Sequence, residues 1–220
     1  MKMIDLSMTV TNHWRWKVDH SLPLDFEKGD EFRSSLYQIG AHAFTHVDTP
    51  LHCKPNSVTL EKLPVDAYSG PAAVIDLSYK KPNEPITEAD LQENGKHVKD
   101  GEIIVLKTCW DQQFDYHSKE FWTEAPYVTD DAALWLLEKK PRAVAFDFPQ
   151  DYPLKLVGKG GKLKLDENTT HKYLLNNDIL HIEYLCNLGE VKSNRIQLIA
   201  LPIKFEGFEG GPARVVAIEE

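Results

Sequence analysis

The chain has 220 residues, a length typical of one domain with a substantial core, and we expect a single domain spanning 1–220. Apolar residues make up 42% and charged residues 27%, as in ordinary globular proteins, while the net charge of −9 argues against a nucleic-acid-binding protein. No apolar run approaches the ~20 residues that a membrane helix needs, and the first residues lack the apolar region of a signal peptide.

The predicted strands and helices alternate along the chain. Short apolar runs bounded by Pro, Gly or charged residues predict buried strands, and apolar residues at helical spacing predict helices. In chain order they are a strand at 71–77, a helix that begins after Thr87, a strand at 102–107, a helix at 129–140, a strand at 142–146, a short helix at 169–177, and strands at 196–201 and 213–218. Thr87 and Asp90 have the spacing of a capping box, and Pro141 ends the second helix. This alternation predicts a mixed α/β domain.

Two other features concern the compartment and the surface. The three cysteines, Cys53, Cys109 and Cys186, are far apart and odd in number, which favours reduced thiols in a cytoplasmic protein over a disulfide framework. The densest cationic run, at 155–164, contains glycines and predicts a solvated loop.

The most informative segment concentrates metal-type side chains at His42, His46, Asp48 and His52. On a helix, His42 and His46 would share a face, but the general-base Glu of the helical zinc motif is replaced by Ala43. In an extended segment, all four even-numbered side chains project from one side. A straight strand would separate His42 from His46 by about 13 Å, so the segment must bend for its donors to converge. We therefore predict a strand end followed by a tight turn near Pro50.

Imidazole and carboxylate donors together suit a borderline divalent ion, either zinc or manganese. Three protein ligands would leave an open position for a water molecule, whose pKa a zinc ion lowers toward ~7. Additional donors are expected from the C-terminal third of the chain, where His171 lies in a short predicted helix. Glu183 lies in an apolar segment, where a metal would offset the cost of burying its charge, although alternation could instead point it at solvent. His181 shares the parity of Glu183 and is a weaker candidate.

The sequence resembles the cyclase-like metal-dependent hydrolases, a family that includes bacterial kynurenine formamidase and isatin hydrolase. The family signature, His-x-Gly-Thr-His-x-Asp-x-Pro-x-His, is matched over residues 42–52 at every position except the glycine, where this chain has Phe44. Further matches are Thr108-Cys-Trp110, Thr169-Thr-His171 with the later Glu183 and Asn187-Leu188, and Gly210-Gly-Pro-Ala-Arg214. The resemblance therefore covers most of the chain.

This resemblance implies the following metal ligands: His42, His46, Asp48, His171 and Glu183. Asp48 would bridge two ions if both are bound, with zinc expected first and manganese as the alternative. His52 corresponds to the family's catalytic histidine, which transfers protons. The implied fold is a compact swivelling β/β/α domain with a central β-sheet or barrel flanked by helices. Such proteins usually form homodimers or larger assemblies such as homotetramers, and their kynurenine formamidases belong to tryptophan catabolism.

Two departures from the family pattern concern the substrate. Phe44 would bring a large ring near the metal or force a different turn. The N-terminal segment contains Trp14, Arg15 and Trp16, where kynurenine formamidases carry a different substrate loop. The tryptophans could stack on an aromatic substrate while Arg15 pairs with a carboxylate, or the segment could pack on a neighbouring subunit. We predict substrate contacts from Trp14, Trp16 and Phe44.

The leading hypothesis is a metal-dependent hydrolase of a small aromatic or cyclic amide, such as the aryl formamide N-formylkynurenine. Hydrolysis of a cyclic amide such as isatin is the alternative within the same chemistry. A second enzyme hypothesis makes Cys53 a thiolate nucleophile beside His52, although adjacent residues of an extended chain point to opposite faces. The third hypothesis is a metal- or ligand-binding protein without turnover.

Overall fold

The computed structural model describes residues 1–152, 154 and 164–219. The cationic run predicted to be a loop at 155–164 therefore lies, except for its last residue, outside the described residues. That residues 1–220 form one domain remains a prediction.

Most of the strands belong to one mixed sheet. The strands are β1 Lys2–Asp5, β2 Asp19–Leu24, β3 Ser34–Gln38, β4 His46–Asp48, β5 Ser69–Asp76, β6 Pro85–Ile86, β7 Ile103–Lys107, β8 Tyr127–Val128, β9 Ala143–Phe146, β10 Leu180–Glu183, β11 Arg195–Pro202 and β12 Gly210–Glu219. The large sheet has the order β1-β12-β11-β5-β7-β9-β10-β4. Because β4 also pairs with β12, seven of these strands close on themselves as a barrel, with β1 attached outside the ring. Strands β5, β7, β9 and β10 run parallel, and the other pairs in this sheet are antiparallel.

The helices are short and follow the parallel strands. They are α1 Glu88–Asn94, α2 Trp110–Gln113, α3 Glu120–Thr123, α4 Asp130–Glu138 and α5 Thr169–Tyr173. Thr87 caps α1 in a complete capping box with Asp90, as predicted. The helix predicted at 129–140 is α4, whereas the one predicted at 169–177 divides into α5 and the 3₁₀ turn Leu175–Asn177. The five buried strands predicted from apolar runs correspond to β5, β7, β9, β11 and β12.

Alternation along the strands divides the core into two clusters. Ala72 and Val74 of β5 pack with other strand residues in one cluster, whereas Ile75 faces the cluster that includes the helix residues Leu91 and Leu136. This division follows from the opposite directions of successive side chains in a strand. A mixed α/β fold with a central closed sheet and flanking helices is thus confirmed.

The smaller elements include features that the sequence did not predict. Strands β2 and β3 form a separate hairpin whose side chains are almost all exposed, including Phe26, Phe32 and Leu36.

No helix among the described residues is long and apolar enough to cross a membrane. The three cysteines form no disulfide, as expected.

Candidate metal centre

Strand β4 presents two metal-type side chains to one face of the sheet. Val47 packs in the cluster formed by the strands, so His46 and Asp48, on either side of it, project from the opposite face. Both side chains are buried, with about 1% of their surface exposed. The prediction that His46 and Asp48 share a face is therefore correct.

Strand β10 places two more such side chains beside them. Its register with β4 sets His181 opposite Asp48 and Glu183 opposite His46, while Ile182 packs in the strand cluster. Glu183 is therefore buried toward the site and does not point at solvent. Two antiparallel strands thus assemble four imidazole and carboxylate groups on one face.

Turns at the two ends of β4 supply the remaining histidines of the segment. His42 lies in the turn before β4, and His52 lies in the 3₁₀ turn Pro50–His52 that follows it. The chain is extended only over β4, so the shared parity of the four residues does not explain how His42 and His52 reach the site. Their rings lie 3.9 Å apart between centroids at the same cavity.

Cys53 was predicted to point away from the histidines, and this prediction is wrong. Residue 53 closes the 3₁₀ turn, so alternation does not apply, and its side chain lines the same cavity as His52. Burial raises the pKa of the Cys53 thiol to about 11. The thiol is therefore protonated at neutral pH, which disfavours Cys53 as a nucleophile.

Helix α5 and the loop after β9 complete the cluster. His171, on α5, directs Nδ1 at Asp151 Oδ2 over 2.7 Å, which leaves Nε2 facing Glu183 Oε1 at 3.8 Å. Asp151 also accepts a hydrogen bond from the backbone N–H of Thr170 over 2.7 Å. Gln150 donates to Glu183 Oε1 over 2.5 Å. These residues fix the orientations of one imidazole and one carboxylate.

The donor atoms are spaced as ligands of metal ions are. His46 Nε2 lies 3.3 Å from Asp48 Oδ1 and 3.8 Å from Glu183 Oε2, and His42 Nδ1 lies 2.7 Å from Asp48 Oδ1. Donors bound tetrahedrally at ~2.0–2.1 Å from one ion lie about 3.3 Å from each other. Among the described residues, two groups have donor atoms that all lie within 4.8 Å of one another: Asp48, His171, His181 and Glu183, and His42, Asp48 and His52. Asp48 belongs to both groups.

Hydrogen bonding indicates that this site suits a divalent metal. Asp48 Oδ2 is buried and has no hydrogen-bond partner among the described residues. An unpaired buried carboxylate oxygen is costly, and a bound cation offsets that cost. His46 Nδ1 lies 2.8 Å from the backbone carbonyl of Phe44, an arrangement that leaves Nε2 free to bind an ion. We name His42, His46, Asp48, His171 and Glu183 the donor cluster.

The charges within the donor cluster are strongly coupled. Burial opposes ionisation of Asp48, but the neighbouring His46 and His42 hold the pKa of this carboxyl well below its usual range. Burial would lower the pKa of His42, whereas hydrogen bonds to Asp48 and Glu209 raise it to about 9. For His52, removal from bulk water lowers the pKa to about 4, so its imidazole is neutral at neutral pH.

Gly210 permits the backbone of β12 to approach the donor cluster. A Cβ atom at this position would lie 2.5 Å from the carbonyl oxygen of Val47, 3.1 Å from Asp48 Oδ1 and 3.1 Å from the His42 ring. Such distances are too short, so any side chain here would displace Asp48 and His42. The Gly-Gly-Pro-Ala-Arg run quoted from the sequence thus begins with a residue that the site requires to be small.

The donor cluster lies in a cavity of about 550 Å³. Its lining includes Arg15, Trp16 and Tyr184 from one side and Lys164 and Asn168 from another. A cavity of this size accommodates a small aromatic molecule.

Of the three residues predicted to contact substrate, only Trp16 lines this cavity among the described residues. Trp14 is 46% exposed, and its indole N–H donates to the carbonyl of His117. Phe44 keeps the left-handed backbone that favours glycine, with φ of 56°, and its ring is buried in the core against Trp16 at 4.6 Å. Phe44 therefore supports Trp16 from behind and does not crowd the donors. We name Trp16, Phe44, Trp122 and Tyr184 the aromatic wall.

Several residues of the site were missed or given too little weight. Gln150 and Asp151 follow the carboxyl end of β9, the edge of a parallel sheet at which ligands bind, and this signal could have identified them. His181, a weaker candidate from the sequence, belongs to one of the two groups of neighbouring donor atoms. Glu209, whose Oε1 lies 3.0 Å from His42 Nε2, gave no signal because the contact joins residues far apart in the chain.

Comparison with known proteins gives the family. A family model described as "Putative cyclase" matches residues 4–150, more than half of the chain. The chain belongs to this cyclase family. The resemblance stated from the 42–52 motif is therefore confirmed.

Individual relatives agree with this assignment. The chain is 28% identical to a kynurenine formamidase of Salinibacter ruber, over 98% of this chain and 97% of that protein. It superposes on a structure described as a predicted metal-dependent hydrolase from Bacillus stearothermophilus, with a TM-score of 0.74, 25% identity and coverage of 98% and 97%. Isatin hydrolase A from Ralstonia solanacearum shares the fold, with a TM-score of 0.81, 19% identity and coverage of 100% and 92%.

Proposed function

We propose that this cyclase-family protein is a metal-dependent hydrolase that cleaves the amide bond of an aryl formamide such as N-formylkynurenine. The observation that carries the proposal is the convergence of the donor cluster around Asp48, whose Oδ2 atom is buried without a hydrogen bond. The names of the relatives support the choice of a carbon–nitrogen bond. Hydrolysis of a cyclic amide such as isatin is the alternative within this chemistry.

In this proposal the donor cluster holds one or two divalent ions. His42, His46 and Asp48 would hold the first, and Asp48, His171 and Glu183 would hold the second. The nitrogen and oxygen donors suit zinc best and manganese as the alternative. When bound, the metal polarises the scissile carbonyl and lowers the pKa of a water molecule.

His52 moves the proton in this scheme. Its ring borders the cavity next to that of His42, a position from which the neutral imidazole can accept a proton from the attacking water. The same ring would then return that proton to the leaving nitrogen. Trp16 would stack on the aromatic part of the substrate and orient the amide toward the donor cluster.

The test is elemental analysis of the purified protein, combined with assays on N-formylkynurenine and isatin. We expect a divalent metal in the protein as purified, turnover of the formamide, loss of turnover on chelation, and recovery when zinc or manganese is restored. If the protein hydrolyses isatin and not N-formylkynurenine, the substrate is a cyclic amide and the aryl formamide is ruled out. A metal-loaded protein that hydrolyses neither substrate nor related amides would favour a binding protein without turnover.

Alkylation of the purified enzyme tests the hypothesis that the Cys53 thiol is the nucleophile. We expect activity to survive alkylation of Cys53 with a small reagent such as iodoacetamide, apart from a modest steric effect. The matched variant Cys53→Ala should retain turnover. Loss of turnover in Cys53→Ala with full metal content would contradict the proposed mechanism.

We further propose a cytoplasmic homodimer or homotetramer. The exposed apolar residues of the β2–β3 hairpin, Phe26, Phe32 and Leu36, support association with another subunit. Light scattering on the purified protein should give a mass of two or four chains, and a mass of one chain would contradict the proposal.

A further inference from the structure

Arg15 combines features of a charged group built to meet a ligand. Its side chain lines the cavity that contains the donor cluster, and its guanidinium carbon lies 4.4 Å from the ring centroid of Trp122. The Nη1 atom is buried and has no hydrogen-bond partner among the described residues. Stacking on Trp122 holds the planar guanidinium in place, so little side-chain entropy is lost when a ligand pairs with it.

Three other arginines have protein partners. Arg195 pairs with Glu102, Arg214 pairs with Asp5, and Arg142 donates to the carbonyls of Asp66 and Ser69. Within the part of the chain that the structure describes, Arg15 has no carboxylate at ion-pair distance. A partly buried cation with an unpaired donor reduces the stability of the protein unless an anion pairs with it.

Lys164, a second basic side chain among the described residues that line the cavity, differs in this respect. Lys164 Nζ lies 3.2 Å from Glu167 Oε1, and the lysine side chain is 73% exposed. Its charge is therefore compensated by protein and by water. An anionic group entering the cavity would gain more from Arg15 than from Lys164, because Arg15 is partly desolvated and its fork matches two carboxylate oxygens.

Arg15 is separated from the donor cluster by the aromatic wall. Trp122 lies under the guanidinium, the ring of Tyr184 lies 5.1 Å from Trp122, and the ring of His46 lies 5.3 Å from Tyr184. An anion at Arg15 is therefore a different group of the substrate from the amide that meets the donors. The aromatic part of the same molecule would lie between them, near Trp16.

We propose that Arg15 is a specificity residue that selects amide substrates carrying a carboxylate at the end of the molecule away from the scissile bond. This inference rests on the proposed hydrolase function and names the substrate class within it. The carboxylate pairs with the guanidinium of Arg15, and the pairing turns the scissile amide toward the donor cluster.

The test compares two substrates that differ only in the anionic group. N-formylkynurenine and its carboxamide are assayed with the metal-loaded wild type and with Arg15→Gln. We expect the wild type to prefer the acid, and Arg15→Gln to lower the ratio of kcat/KM for acid over carboxamide at least about 30-fold, mainly through KM. Arg15→Lys should recover part of the ratio, since it keeps the charge and loses the fork.

Two variants control for charge alone. Lys17→Gln removes an equal charge from an exposed neighbour that pairs with Asp19, and it should leave the ratio unchanged. Lys164→Gln removes a second basic side chain that lines the cavity and should change the ratio by less than about threefold. If Lys164→Gln and Arg15→Gln change the ratio equally, the electrostatic potential of the whole cavity determines the preference for the acid, and the proposal is overturned.

A binding measurement separates this inference from the proposed function. Benzoate and benzamide are titrated while the tryptophan fluorescence is recorded, with Trp16 and Trp122 near the site. If the wild type hydrolyses neither substrate but binds benzoate more tightly, and Arg15→Gln removes that difference, the hydrolase proposal fails and the carboxylate site stands. If both substrates turn over with a ratio that Arg15→Gln does not change, the carboxylate inference fails and the hydrolase proposal stands.

Discussion

The donor cluster and the aromatic wall meet at one cavity, which Trp16 and Tyr184 of the wall line, but they are built differently. The donor cluster is centred on two neighbouring strands, whose alternation and register bring His46, Asp48 and Glu183 together. The aromatic wall comes from an irregular N-terminal segment, a turn before β4, a short helix and the residue that follows β10, and it is held by ring packing. Regular strands fix the geometry that the chemistry needs, while less regular segments shape the space around the substrate.

This difference predicts separate consequences for variants of the two regions. Changes in the donor cluster should alter metal content and turnover together. Changes in the aromatic wall should leave the metal in place and alter substrate binding. If a variant of the aromatic wall lost metal, or a variant of the donor cluster altered only substrate binding, the two regions would be coupled.

The largest expected effect is that of Asp48→Ala. Asp48 belongs to both groups of donors, so its loss should reduce bound metal to below about a tenth and turnover by at least about 10³-fold. Elemental analysis and kcat on the same preparation measure both quantities. Circular dichroism checks the fold, and full metal content in this variant would refute the shared role of Asp48.

His52→Ala tests whether a member of the motif can be removed without loss of metal. Because His52 is assigned to proton transfer, we expect kcat to fall about 10²–10⁴-fold while the metal content stays at the wild-type level. His42→Ala is the matched comparison, since it removes an adjacent imidazole assigned as a ligand and should lose metal. Metal loss in His52→Ala would make it a ligand and contradict the assignment.

Asp151→Asn tests the residue that orients His171. The amide can no longer accept with the strength of a carboxylate, so the affinity for the second ion should fall about 10- to 100-fold. A competition titration with a chelator measures this affinity. Asp178→Asn is the control, because Asp178 pairs with Lys54 at the surface, and it should have no effect. Unchanged metal affinity in Asp151→Asn would show that α5 alone positions His171.

The sequence predicted the donor cluster better than the aromatic wall, for a physical reason. The pattern over residues 42–52 is local, and strand alternation alone places His46 and Asp48 correctly. The approach of Asp151 and Glu209 depends on contacts between distant segments, which no local pattern records. Strands β5, β7 and β9 contain apolar runs that are buried on both faces and were predicted from them, whereas the exposed β2–β3 hairpin carries little apolar signal.

Phe44 illustrates what a motif comparison omits. The departure from the family glycine predicted either a ring near the metal or a changed turn, and the ring does not line the cavity of the donor cluster. The backbone keeps φ of 56°, while the ring is buried beneath Trp16. The direction of a side chain at a left-handed position depends on the surrounding packing, which here is the aromatic wall.

Phe44→Gly gives the smallest effect on the chemistry and tests this interpretation. Removal of the buried ring costs about 3–5 kcal/mol, and relief of the left-handed backbone returns about 1–2 kcal/mol, so we expect a net loss of stability of about 2–3 kcal/mol. Metal content should be unchanged, and KM should rise several-fold because Trp16 loses its support. Chemical denaturation and steady-state kinetics measure these changes.

Asn56→Gly isolates the backbone contribution, since Asn56 is exposed with φ of 62°, and it should change stability by less than about 1 kcal/mol. A loss of metal in Phe44→Gly would mean that the turn holding His42 and His46 depends on the ring, and that the donor cluster and the aromatic wall are one unit.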